Sequence, residues 1–209
     1  MFNRVVIVGA FQETIDLVID CGFEIIGLID RNSIQKDFPY SVLCDDDGIM
    51  MSMDKLLGAS IVLTPDAPDT RMKLYNIYSE LGFKFATLIS PGAKVATSSV
   101  LNEGVSACWN SHISAQCRIG KCVRINTGAN VMHDSTIGDF TTIAPNAVIL
   151  GRVTIEKNCY IGANSTVLPG LIVGEYSIVG AGAVVTKNVP PRSVVIGNPA
   201  RVIRMVERV

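Results

Sequence analysis

Few residues in this sequence are of the kinds that most often carry chemistry. Its 209 residues include two histidines and one tryptophan, and charged residues make up only 18%. Eighteen Lys and Arg nearly cancel nineteen Asp and Glu, for a formal net charge of −1, and no basic run stands out. Binding to nucleic acid draws on neutralised phosphates, so no nucleic-acid partner is expected. No apolar run approaches the ~18 residues of a membrane-spanning helix. The start, Met1-Phe2-Asn3-Arg4, leads directly into a strand-like segment without signal-peptide anatomy, which points to a cytoplasmic protein. The six cysteines form no C-x-x-C pair and read as reduced thiols. Yet the mean hydropathy is +0.37, high for a chain with no spanning segment. A very regular apolar interior would account for it.

That regularity is a period of six. Stepping by six from Ile89 to Val185 visits seventeen positions, all Ile, Val or Leu except Ala107. These three residue types total 60 of 209, so chance would place about five there. Four residues after each anchor stands a small or β-branched side chain, from Ala93 and Ser99 to Ala183 and Val189, with Leu171 the exception. Six-residue spacing would smear these positions around a helix, so helix is excluded. One large and one small inward side chain per six residues suits a narrow prism of short strands. Three six-residue sides make an 18-residue coil, and seventeen units make a little under six coils of parallel β-helix. Cys117 and Cys159 fall on inward positions and read as core filler. Gly120, Gly138, Gly162, Gly174 and Gly180, just after the anchors, are expected to supply tight corners. The pattern resembles the hexapeptide-repeat, left-handed β-helix acyltransferases. Handedness, and a homotrimer with sites between neighbouring prisms, are what that resemblance implies.

Before Ile89 the pattern changes. Arg4 to Ala10, Glu24 to Asp30 and Ser60 to Thr64 read as strands, and 11–21 as a helix with Ile15, Val18 and Ile19 inward. A further helix is expected near Met53–Leu57, after the loop at Asp45, Asp46 and Asp47. Residues 68–81 read as another, with Met72, Leu74, Ile77, Tyr78 and Leu81 on its apolar face. Alternation of strand and helix over about 85 residues implies a small Rossmann-like α/β unit. The expected division is 1–87 for this substrate-binding unit and 88–209 for the β-helix with its tail. No Gly- or Ser-rich linker separates them, so they are expected to pack rigidly.

A Rossmann-like unit fused to an uninterrupted hexapeptide helix narrows the resemblance. It is similar to the sialic acid O-acetyltransferase and UDP-4-amino-sugar N-acetyltransferase family of bacterial surface-glycan biosynthesis. The similarity runs through the closing Val195-Ile196-Gly197-Asn198-Pro199-Ala200 segment. It implies acetyl-CoA as co-substrate and an amino sugar, nucleotide-linked, as acceptor. Transfer of acetyl to a sugar hydroxyl is the rival enzyme reading, and a non-catalytic β-helix that binds a partner is the rival of another class. With only His112 and His133, the three-histidine zinc site of the γ-class carbonic anhydrases, which share the β-helix, cannot be built, and no metal is expected.

His133 follows the anchor Val131 by two residues, on a corner and outward, where packing does not call for it. An imidazole titrates near neutral pH and makes an effective general base for acyl transfer. By the resemblance His133 is that base, seven residues after Asn126, and the adjacent Asp134 raises its basicity. Gly151, 18 residues on, stands one coil away and offers a backbone N–H to the oxyanion. His112, near Asn110 and Asn130, reads as part of a polar ladder. Acetyl-CoA contacts carried over by the resemblance fall on Thr142, Ala163 and Ala181. The sugar-nucleotide pocket is expected at Phe11, Gln12, Glu13, Asp30, Arg31 and Thr64. Here the chain departs from the family. Its first turn, Gly9-Ala10-Phe11-Gln12-Glu13, has one glycine where relatives place a glycine-rich, phosphate-holding turn. Phe11 blocks close approach and Glu13 repels a diphosphate, so weak binding of simple UDP-sugars is expected.

Overall fold

A computed structural model describes residues 4–30, 39–44, 56 and 58–206. The N-terminal part is a four-stranded parallel sheet. It comprises β1 (Arg4–Val8), β2 (Glu24–Ile29), β3 (Val42–Cys44) and β4 (Ser60–Leu63), in the order β3-β2-β1-β4. Val5, Val6, Ile7 and Val8 are buried, as a central parallel strand covered on both faces requires. Helix α1 (Gln12–Asp20) joins β1 to β2, and α2 (Pro68–Glu80) follows β4 with proline in its first turn.

The helices differ in face from the sequence reading. Helix α1 buries Thr14, Ile15, Leu17 and Val18, while Ile19 is exposed. Helix α2 buries Arg71 and Tyr78, and Ile77 is exposed. The short strand β3 was not anticipated, because three residues show no period. The helix expected near Met53–Leu57 and the Asp45–Asp47 loop lie outside the described residues, apart from Leu56, which is helical and buried.

From Leu88 the chain coils. Seventeen two-residue strands, β5 (Leu88–Ile89) to β21 (Val184–Val185), fall one per hexapeptide. Each pairs in parallel with the strand 18 residues away, as in Lys94↔His112, His112↔Asn130 and Asn130↔Val148. Three sheets of five, six and eight strands form the sides of the prism. The eight of the last include β22 (Ser193–Ile196) and the antiparallel β23 (Arg201–Met205), which extend its six two-residue strands. Every anchor from Ala107 to Val185 is buried, and the small inward residues complete one continuous apolar core. Where the inward residue is polar, its hydroxyl bonds a carbonyl inside the prism. Ser135 reaches Leu150 O (3.0 Å) and Thr141 reaches Glu156 O (2.9 Å), so burial leaves no unmet donor there.

The glycines after the anchors serve a different purpose from the expected one. Positive φ falls two residues later in the turn, on residues such as Asn146, Asn158 and Gly128. Gly138 is needed because the coils approach closely: a Cβ there would lie 2.5 Å from Lys157 N.

The N-terminal sheet and helices sit on the eight-stranded side of the prism. Two apolar clusters cross the seam. One joins Val6, Ile61 and Tyr78 to Cys122 and Phe140, and the other joins Val5, Ile15 and Val62 to Leu88 and Cys108. Tyr75 stacks on Phe85 at 4.4 Å and meets Phe140 edge-on at 5.3 Å. A shared dry interface of this kind holds the two parts in fixed register.

Candidate active site

His133 stands at the corner that follows strand β12 (Asn130–Val131). Its side chain is 46% exposed, and its Nδ1 lies 2.7 Å from Asp134 Oδ2. Asp134 can occupy this turn because an aspartate tolerates the left-handed backbone found there, φ 59°. With Nδ1 engaged, Nε2 is the nitrogen left to face a reactant. One coil on, Gly151 lies directly against the ring: a Cβ at 151 would be 2.6 Å from His133 Nε2. Only glycine lets the imidazole rest on this backbone. His112 is half-buried in the ladder Lys94–His112–Asn130, away from this corner.

A second feature lies at the seam. A cavity of about 360 Å³ is lined by Phe11, Glu13, Asp30, Thr64 and Asn126, five of the residues singled out from sequence. Gly9, Ala10, Pro65, Asp66, Arg124 and Pro145 complete it. Asp30 follows β2 and accepts the Ala10 N–H at Oδ2 (2.6 Å), so it shapes the first turn as well as facing the cavity. Asn126 belongs here and not beside the histidine. Its Oδ1 accepts Arg124 Nε (3.0 Å), and its Nδ2 points at Asp66 Oδ1 (3.4 Å). Gln12 faces away, bonded to Asp16 along α1 (2.8 Å). Arg31 lies outside the described residues.

Two arginines escaped the sequence reading. Arg124, on β11 (Arg124–Ile125), is buried at the cavity wall, with Nε 3.1 Å from Asp66 Oδ1 and Nη1 donating to Thr64 O (3.2 Å). Arg71, on α2, is 2% exposed. It donates to Pro65 O (2.7 Å), Asp66 O (3.1 Å), Cys122 O (2.8 Å), Phe140 O, Thr141 O (3.2 Å) and Thr142 Oγ1 (2.9 Å). It thereby ties the loop after β4 to two successive coils of the prism. Burial, and next the neighbouring Arg124, lower its pKa to about 10, so it is charged at neutral pH. No sequence signal marks Arg124, because Arg118 holds the same place in its hexapeptide and is exposed.

Thr142 does not fit the part expected of it. It is fully buried on the side that the N-terminal unit covers. Its hydroxyl donates to Asp66 O (2.7 Å) and accepts from Arg71, which leaves it no reach to a cofactor. Ala163 is half-buried and Ala181 exposed, on equivalent corner positions one coil apart. The three residues therefore do not form one surface. The corner of Ala163 and Ala181 is the one Asn126 shares, whereas His133 and Gly151 stand at the next corner, across the six-stranded side. His133 is not among the residues lining the seam cavity.

Comparison with known proteins agrees with the repeat. A family model described as bacterial transferase hexapeptide (six repeats) matches residues 116–151, and one described as hexapeptide repeat of succinyl-transferase matches 152–187. No curated protein sequence matches the chain. Among solved structures, a histidine-to-alanine mutant of GDP-perosamine N-acetyl transferase from Caulobacter crescentus, in complex with CoA and GDP-perosamine, has a TM-score of 0.91. It is 29% identical over 98% of both chains. WeeI from Acinetobacter baumannii AYE has a TM-score of 0.83 at 27% identity, over 96% of this chain and 100% of its own. The acetyltransferase domain of PglB from Neisseria gonorrhoeae FA1090, with acetyl coenzyme A, shares the fold with a TM-score of 0.89 at 23% identity, over 97% and 100%. The six-residue period and the coils it builds are those of hexapeptide repeats, and nearly end to end the chain is similar to acetyltransferases of known structure.

Proposed function

We propose that the protein transfers the acetyl group of acetyl-CoA to the amine of a nucleotide-linked amino sugar. The reading rests on one observation above the rest. The chain combines a His–Asp pair lying on a glycine with a separate 360 Å³ cavity, and it is similar over 98% of its length to an N-acetyltransferase that binds CoA and GDP-perosamine. Chemistry and recognition then fall to different features.

In this reaction His133 Nε2 accepts a proton from the sugar amine as its nitrogen attacks the thioester carbonyl. Asp134, on Nδ1, fixes the tautomer and stabilises the imidazolium that forms. The negative charge developing on the carbonyl oxygen meets the Gly151 N–H. Collapse of the tetrahedral intermediate breaks the C–S bond, and His133 returns the proton to the CoA thiolate. No acyl-enzyme is needed.

A single chain separates the two features by one side of the prism. A homotrimer of left-handed β-helices, with His133 of one copy facing the cofactor corner of the next, would join them. The half-buried outward side chains of Met132, Leu150 and Leu168 at the His133 corner suit such a neighbour. Light scattering at micromolar concentration would then report three times the 22.4 kDa chain mass, and a monomer would remove this part of the proposal. The same reading keeps residues 1–87 as a Rossmann-like substrate unit, and cytoplasmic surface-glycan synthesis as the setting.

The test of the activity is release of free CoA thiol from acetyl-CoA across a panel of nucleotide-linked amino sugars, with mass analysis of the product. Thiol release with a product stable to hydroxylamine marks an amide and supports the proposal. A hydroxylamine-labile product marks O-acetylation, and no release with any acceptor contradicts acetyl transfer altogether.

A further inference from the structure

The seam cavity has an unusual charge pattern for a nucleotide site. Glu13, Asp30 and Asp66 face it, and Arg124 is the one basic residue of its lining. Two of the turn amides that could hold a diphosphate are already spent. The Gly9 N–H donates to Ile29 O (2.8 Å) and the Ala10 N–H to Asp30 Oδ2 (2.6 Å). The amides that remain, at the start of α1, stand beside the Glu13 carboxylate, so an anion here gains from a cationic donor on another wall.

Arg124 has donors left over. Its side chain is 5% exposed, and Nε and Nη1 are engaged by Asp66, Asn126 and Thr64 O. Nη2 has no partner among the described residues. Beside it on the cavity wall, Thr64 carries a buried hydroxyl that also lacks one. A buried guanidinium with an unused edge on a cavity wall is an incomplete hydrogen-bonding set, and its planar fork suits two anionic oxygens. Arg71, fixed behind it by carbonyl oxygens, adds positive potential at the same wall.

We infer that Arg124 is the anion anchor of the seam cavity: its free edge receives the diphosphate of the nucleotide sugar in place of the missing turn amides, and Asp66 is the internal counterion with which that diphosphate competes. This rests on the proposal that the acceptor is nucleotide-linked. It also revises the expectation of weak diphosphate binding, which considered Phe11 and Glu13 without a cation on the opposite wall.

The experiment is calorimetric titration of the intact protein with GDP, UDP and the parent nucleosides guanosine and uridine. In the wild type at least one diphosphate is expected to bind tenfold or more tightly than its nucleoside. Arg124→Gln should bring the two within about threefold of each other while leaving nucleoside affinity in place. Asp66→Asn keeps an oxygen for Arg124 Nε but removes the competing charge, so diphosphate affinity should rise several-fold. Opposite signs from adjacent substitutions cannot come from loss of fold. If Arg124→Gln does not fold, Asp66→Asn alone decides, and unchanged or weaker diphosphate binding there overturns the inference. It is equally overturned if Arg124→Gln retains the tenfold preference or loses nucleoside and diphosphate alike. Should the wild type bind none of the four ligands, the nucleotide-linked reading falls first and the inference with it. Turnover of nucleotide sugars with an undisturbed preference in Arg124→Gln would remove only the inference.

Discussion

At the β-helix corner the reactive pair stands in the open, His133 at 46% and Asp134 at 45% exposure, while at the seam Arg124 is 5% exposed and tied at three points. The corner is held by local geometry alone: a left-handed aspartate, a hydrogen bond to the adjacent residue and a glycine beneath the ring. At the seam, Arg71, Arg124 and Thr142 join the prism to the loop after β4 and to α2 across 51 to 76 residues of sequence. The contrast shows how one chain divides its work. On the proposed reading, recognition falls to the buried seam, and the catalytic group stands at an exposed corner that a neighbouring copy would complete. Substitutions at the corner should therefore change kcat, and substitutions at the seam should change binding and stability.

The largest effect is expected at His133. Replacing it by Ala should lower kcat by ~10²-fold or more, with little change in acetyl-CoA affinity. Steady-state kinetics checks this, with His112→Ala as the reference that should be near wild type. Gly151→Ala comes next. The added methyl would sit 2.6 Å from Nε2 and push the ring off its seat, so kcat should drop by roughly 10- to 100-fold with the fold intact. A circular dichroism spectrum like that of the wild type, together with unaltered kcat, would show that the ring need not rest there.

The seam prediction concerns stability. Arg71→Ala leaves five carbonyl oxygens and one hydroxyl without their buried donor. The expected cost is on the order of 3–5 kcal/mol, read as a fall in Tm of roughly 10 °C. A smaller effect on kcat than on Tm would sharpen the division between the two regions. The smallest signal is expected from the cysteines. Burial pushes the thiols of Cys122 and Cys159 up to about 12 and that of Cys108 to about 11. Thiolate appears only as pH rises through those values, so at pH 8 these three should resist iodoacetamide in the folded protein, as mass spectrometry of the labelled peptides would show.

How much was readable from sequence follows the same line. The prism was legible because each hexapeptide repeats one local packing problem, and His133, Asp134 and Gly151 are related by a spacing of one residue or one coil. Four of the cavity residues, Phe11, Glu13, Asp30 and Thr64, were expected there from the first turn and the strand ends, whereas Asn126 was expected beside His133. Arg71 was hidden on a helix whose apolar face was assigned to Ile77 and Leu74, since a buried cation gives no periodic signal. Thr142 was misplaced for a related reason: the repeat specifies three sides but not which one the N-terminal unit covers. Arg124 does not reveal it either, since Arg118 holds the same repeat position on another side and is exposed.

The central claim is that the seam cavity and the His133 corner serve one reaction on one acceptor. It is tested most directly by comparing kcat/KM for a nucleotide-linked amino sugar with that for the same sugar lacking the nucleotide, at saturating acetyl-CoA. The account predicts a loss of about 100-fold or more without the nucleotide, because remote binding energy is then missing. It also predicts that His133→Ala abolishes the faster reaction. Equal rates for the two acceptors would contradict it, since the seam cavity would then have no part in the chemistry at the corner.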